Sequence, residues 1–139
     1  FNKEKTELVV HAGDLISPFT AEEFLKLKCP LIAVFGNNDG ERDGLRKAYK
    51  NMCYLEDFKE VSVDRREIVL IHGTNPAIVE SLSCCRKYDV VITGHSHQIE
   101  IKEGDTMVIN PGETCGYLTG DETVVLLEPM ELDYQVIYL

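Results

Sequence analysis

The sequence predicts an α/β (α+β) domain in which two sheets pack together with helices outside. Two observations carry this. Over roughly the first ninety residues, short apolar runs alternate with segments of helical spacing; from about Gln98 onward the pattern is β-rich. At 139 residues and 44% hydrophobic content, the chain fits one domain, residues 1–139, with enough length to bury a substantial core.

The elements follow in order. Leu8-Val9-Val10 reads as a short buried strand. Beyond Ser17-Pro18, Thr20 with Glu23 three residues on forms a capping-box pattern, which predicts a helix from about residue 21 that stops before Pro30. Leu31 to Phe35 is a continuous apolar run, as in a strand covered on both faces. Glu41 to Lys50 carries Leu45, Ala48 and Tyr49 at helical spacing. Phe58 to Val63 and Glu67 to Ile71 flank Asp64-Arg65-Arg66 and predict a hairpin. Asn75 and Pro76 are N-cap and first-turn residues for a helix whose stripe is Ile78, Leu82 and Cys85, so Cys85 is assigned to packing. Strands then follow at about Asp89 to Thr93, Gln98 to Lys102, Thr106 to Ile109, Thr123 to Leu127 and Tyr134 to Tyr138.

Composition narrows the function. A formal net charge of −10 opposes general attraction to nucleic acid, so a phosphate-bearing ligand needs a local positive charge, which bound divalent cations supply. No apolar run is long enough to span a bilayer and no signal-peptide pattern opens the chain, so a cytoplasmic protein is expected. The 5 cysteines are odd in number and scattered, with no C-x-x-C pair, and are read as buried free thiols.

Four apolar strands end in metal-binding residue types. Leu8-Val9-Val10 runs into His11-Ala12-Gly13-Asp14, Leu31 to Phe35 into Gly36-Asn37-Asn38-Asp39, Ile68 to Ile71 into His72-Gly73, and Val90 to Thr93 into Gly94-His95-Ser96-His97. All 4 histidines lie in these segments. The crevice beyond the carboxyl ends of strands is where α/β sheets bind ligands, so the four termini are expected to converge. One carboxylate, an amide oxygen and up to three imidazoles suit manganese, nickel, iron, cobalt or zinc better than calcium. The neighbouring glycines let the backbone approach a crowded ion. Paired metals could clamp a phosphate and make hydroxide from water near neutral pH. His11 is read instead as a hydrogen-bonded or partly buried imidazole. Asn38 and Asp39 either shape their turn or act in the site.

In this order, Gly-Asp at 13–14, Gly-Asn-Asn-Asp at 36–39, His72-Gly73 and Gly-His-Ser-His at 94–97 resemble the signature of the calcineurin-like metallophosphoesterases. Residues 109–120, INPGETCGYLTG, resemble the small single-domain bacterial and archaeal phosphodiesterases of that superfamily. The resemblance implies a β-sandwich flanked by helices with a two-metal site. Carried over by position, Asp14 would bridge both ions, Asn37, His72 and His95 would complete one site, and His97 would serve the other. Asn110 has a place in shaping the pocket.

Family members open with a strand ending in Asp-x-His, which this chain lacks, so the first strand and helix of the family fold are expected to be missing. Where many relatives carry a proton-donating histidine, this chain has Asn38, a neutral amide unable to act as a useful general acid. The expected function is a metal-dependent phosphoesterase acting on phosphodiester small molecules, with a metal-bound hydroxide attacking phosphorus. The alternative is a non-catalytic protein-binding scaffold like the retromer small subunit. An unpaired strand edge also makes a homo-oligomer an expectation.

Overall fold

The computed structural model describes residues 1–139 as a mixed α/β fold. Strand β1 (Val9–His11) lies parallel to β2 (Leu31–Ala33), with Val9 opposite Leu31 and His11 opposite Ala33. The connection carries a 3₁₀ turn over Pro18–Thr20 and the helix α1 (Ala21–Phe24). After β2, Val34 bridges to Glu56, and α2 (Arg42–Tyr49) covers the pair. Val9, Leu15, Leu31, Ala33, Phe35, Leu45, Tyr49 and Leu55 form one apolar cluster here, with Leu45 and Tyr49 fully buried from α2.

The second unit is a five-stranded sheet in the order β3-β4-β5-β7-β6, made of β3 (Phe58–Val63), β4 (Arg66–Ile71), β5 (Val90–Ile92), β6 (Ile99–Lys102) and β7 (Met107–Pro111). Its three central strands run parallel and the two edge strands antiparallel. Period-two alternation divides the side chains between two faces. Ile68, Val90, Met107 and Ile109 face the hairpin of β8 (Thr123–Glu128) and β9 (Asp133–Tyr138), against Val125, Leu127 and Tyr134. Val69, Val91 and Val108, with Tyr88 beside them, face α3 (Pro76–Cys84) through Val79 and Leu82. Two sheet layers with a helix outside match the predicted architecture, while β1 and β2 form a separate two-stranded sheet. No helix is long and apolar enough to cross a membrane.

Three expectations need correction. The predicted capping box does not form. Thr20 Oγ1 bonds instead to the Leu15 and Ser17 carbonyls and to the Tyr49 hydroxyl, so α1 closes after one turn. In α3 Leu82 packs as expected, but its partner on the buried side is Val79 and not Ile78, which is exposed, and Cys85 is the exposed C-cap residue beyond the helix. The thiols are free but not buried, since Cys84, Cys85 and Cys115 are exposed and Cys29 and Cys53 half-buried.

Candidate metal centre

Because β1 and β2 are parallel, as are β4 and β5, the ends that carry the functional residues share a direction within each pair. The pairs are tied at those ends by the Ala12 carbonyl, which accepts from His72 Nδ1 (2.7 Å), while Gly94 N–H donates to the His72 carbonyl (2.9 Å) and joins the ends of β4 and β5. Close approach depends on two glycines. A Cβ on Gly13, at φ +100°, would lie 2.7 Å from His72 Nδ1 and 2.8 Å from Gly36 N. One on Gly36 would lie 2.0 Å from Asp14 Oδ1. Both distances are far inside van der Waals contact.

Four of the predicted residues meet. Asn37 Oδ1 is 2.9 Å from His72 Nε2 and 2.8 Å from His95 Nδ1, and His72 Nε2 is 3.4 Å from Asp14 Oδ2. The rings of His72 and His95 stand edge to face with centroids 5.2 Å apart. Since a carbonyl only accepts, His72 Nδ1 carries a proton, and in the neutral ring Nε2 carries a lone pair. That lone pair faces the amide oxygen of Asn37, itself an acceptor. Two acceptors at 2.9 Å need a proton or a cation between them. Carboxylate and amide oxygens with two imidazole nitrogens are donor types that suit a divalent transition ion.

Asn38 and Asp39 divide the work of holding this group. Asn38 donates to Asp14 twice, from N–H to Oδ1 (2.8 Å) and from Nδ2 to Oδ2 (2.9 Å). Asp39 is buried, with its oxygens taken by Ile16 N–H (2.7 Å) and Gly36 N–H (2.8 Å). Asp14 and His95 have positive φ of 59° and 68°. Non-glycine residues in the left-handed region cluster where surrounding contacts impose them, as at binding sites. His11 accepts from Gly13 N–H through Nδ1 (3.3 Å) and packs edge to face on Phe24. Burial lowers its pKa to about 4, against the opposing pull of the Asp39 and Asp14 charges.

His97 stands apart from this group. Its Nδ1 is bonded to Glu113 Oε2 (2.7 Å), and it makes no hydrogen bond or ion pair with Asp14. Burial alone would push the Glu113 carboxyl up, but hydrogen bonds from His97, Thr119 and Leu118 outweigh it and hold the pKa near about 2. Asn110 is buried and clamps the histidine loop, with Nδ2 donating to the Gly94 carbonyl (2.6 Å) and Ser96 Oγ (2.9 Å). Glu113 escaped the sequence reading because its partner is 16 positions away and no local pattern joins them.

Residues 1–131 match the model of the calcineurin-like phosphoesterase superfamily domain. The chain is 41% identical to Phosphodiesterase MJ0936 of Methanocaldococcus jannaschii, over all of this chain and 86% of that protein. It is 33% identical to a probable metallophosphoesterase of Methanothermobacter thermautotrophicus, over 94% of this chain and 75% of the other. The solved structure of a novel archaeal phosphodiesterase superposes with a TM-score of 0.95 at 40% identity, covering this whole chain and 87% of that one. A Vps29 variant of Entamoeba histolytica shares the fold at a TM-score of 0.71 and 18% identity. With the family model spanning nearly its whole length, this chain belongs to the calcineurin-like phosphoesterase superfamily.

Proposed function

We propose that the protein hydrolyses phosphodiesters at a divalent-metal centre held by Asp14, Asn37, His72 and His95, with His97 serving a second position. The observation that carries the reading is the convergence of His72 Nε2 and His95 Nδ1 on Asn37 Oδ1, with Asp14 beside them. The name of the relative at 41% identity supports the substrate class. A divalent ion in such a site supplies Lewis acidity toward phosphoryl oxygens and lowers the pKa of bound water, and it offsets the repulsion between an anionic substrate and a chain of net charge −10.

The chain's own residues do the positioning. Ala12 holds the His72 ring with Nε2 toward the centre, Asn38 fixes the Asp14 carboxylate, and Asn110 holds the loop that carries His95 and His97. Asn38 offers no titrating proton and its amide is committed to Asp14, so it does not protonate the leaving group. Rates should therefore fall steeply as the leaving-group pKa rises.

Kinetics with added Mn²⁺ on bis(4-nitrophenyl) phosphate, on 4-nitrophenyl phosphate and on an alkyl 4-nitrophenyl diester test the proposal. Metal-dependent turnover favouring the diesters, and lost in Asp14→Asn, is expected. Metal binding without turnover of any ester would favour the scaffold reading, for which the Vps29 likeness supplies fold alone.

A further inference from the structure

We propose that Glu113 is a positioning residue for His97: its buried carboxylate fixes the ring in the Nδ1–H tautomer and leaves Nε2 as the nitrogen able to bind a metal. This rests on the reading above that His97 serves the metal centre.

The two oxygens of Glu113 have separate tasks. Oε1 accepts from Leu118 N–H (2.8 Å), Thr119 N–H (2.6 Å) and Thr119 Oγ1 (2.8 Å), so the loop after the Asn-Pro-Gly turn is wrapped around it. Oε2 accepts from His97 Nδ1 at 2.7 Å, with the Cys115 thiol at 3.7 Å. The Glu113 side chain is 5% exposed and that of His97 26%. With Oε1 accepting from three donors and Oε2 turned to the ring, the carboxyl acts as an acceptor, so the proton in this bond belongs to His97 Nδ1 and the lone pair of the neutral ring belongs to Nε2.

No regular strand orients the ring, because His97 has a φ of +63° and β6 begins only at Ile99. A carboxylate behind a metal-binding imidazole is a recurrent way to set its tautomer and direction. Here it comes from a turn that Gly112 permits: at φ +85°, a Cβ there would meet Thr123 Oγ1 at 2.3 Å.

Glutamine at this position would be no substitute. Its single oxygen would go to the loop N–H groups, leaving the amide NH₂ against His97 Nδ1. That donor requires a lone pair on Nδ1 and moves the ring proton to Nε2. A purely structural role for Glu113, pinning the loop, predicts no such exchange.

Nitrogen-15 NMR of the histidine rings in the metal-free full chain, at about pH 8 where ordinary imidazoles are neutral, reads the tautomer directly. The expected result is Nδ1–H for His97 in the wild type and in Thr119→Val, which loosens the loop but keeps the carboxylate, and Nε2–H in Glu113→Gln. In a Zn²⁺ titration followed at His97 Nε2, Glu113→Gln should bind about 10- to 100-fold more weakly than wild type. An Nε2–H tautomer in the wild type, or an unchanged Nδ1–H in Glu113→Gln, overturns the proposal; the wild-type spectrum decides even where the variant does not fold. A tautomer that switches as expected while Zn²⁺ leaves His97 Nε2 unshifted in the wild type upholds the control of the ring by Glu113 and removes His97 from the metal centre.

Discussion

His11 gives the fold a built-in sensitivity to acid. Its Nδ1 accepts from Gly13 N–H and its ring packs on Phe24, and burial lowers its pKa from 6.5 to about 4. Between those values the unfolded chain binds more protons at this residue than the folded chain, so stability must fall as pH is lowered through that window, the loss being complete below about pH 4. A shift of this size corresponds to about 3 kcal/mol, a ceiling because the ring is only half-buried and water reaches part of it. Replacing His11 by Asn keeps an acceptor for Gly13 N–H and removes the titration. Urea unfolding of both metal-free proteins, at matched ionic strength from neutral pH down to about pH 4, isolates the effect, since all other titrating groups are common to both. The advantage of wild type over His11→Asn should be constant above about pH 7 and shrink by about 2–3 kcal/mol toward the acid limit. A difference that does not change with pH, or one that widens on acidification, would refute the reasoning.

Three substitutions probe the frame of the centre. Gly36→Ala places a Cβ 2.0 Å from Asp14 Oδ1 and 2.4 Å from Asp14 N, so it should cost about 1–3 kcal/mol in melting experiments and remove metal binding in calorimetry. Ile16 is an exposed β-branched residue at φ +69°; Ile16→Gly, which keeps the N–H bond to Asp39, should raise stability by about 0.5–1 kcal/mol in denaturant titrations. Asn110→Ala leaves the Gly94 carbonyl and Ser96 hydroxyl without their donor, and should cost about 1–3 kcal/mol of stability together with diesterase activity, read by unfolding and kinetics on the same preparation.

What was legible in the sequence was local. The strands show as short apolar runs, and each ligand-type residue follows one of them within a few positions, so the convergence of Asp14, Asn37, His72 and His95 could be anticipated from order alone. The β3–β4 hairpin was legible too. Its turn residues Asp64 and Arg65 both have positive φ, the geometry that matches the twist of paired strands. What stayed hidden depends on partners far along the chain. Thr20 has the local pattern of a helix cap, but the Tyr49 hydroxyl 29 residues later helps draw its side chain away. The helix after Pro76 shows an apolar pattern but not which residue of it meets Val91 and Val108, and the Glu113–His97 bond has no local signature.

The most direct test of the account is the metal content of the site itself. Calorimetric titration of the metal-free protein with Mn²⁺ or Co²⁺, paired with the Co²⁺ absorption spectrum, should show binding that is lost or weakened at least about 100-fold in Asp14→Asn, which removes the only carboxylate charge of the set, and in His72→Ala, which removes an imidazole nitrogen. His11→Asn should bind as wild type does, because His11 bonds to Gly13 and packs on Phe24 instead of joining the donors. Undiminished binding in both Asp14→Asn and His72→Ala, or no binding by the wild type at millimolar metal, would contradict the claim that these residues form a divalent-metal centre.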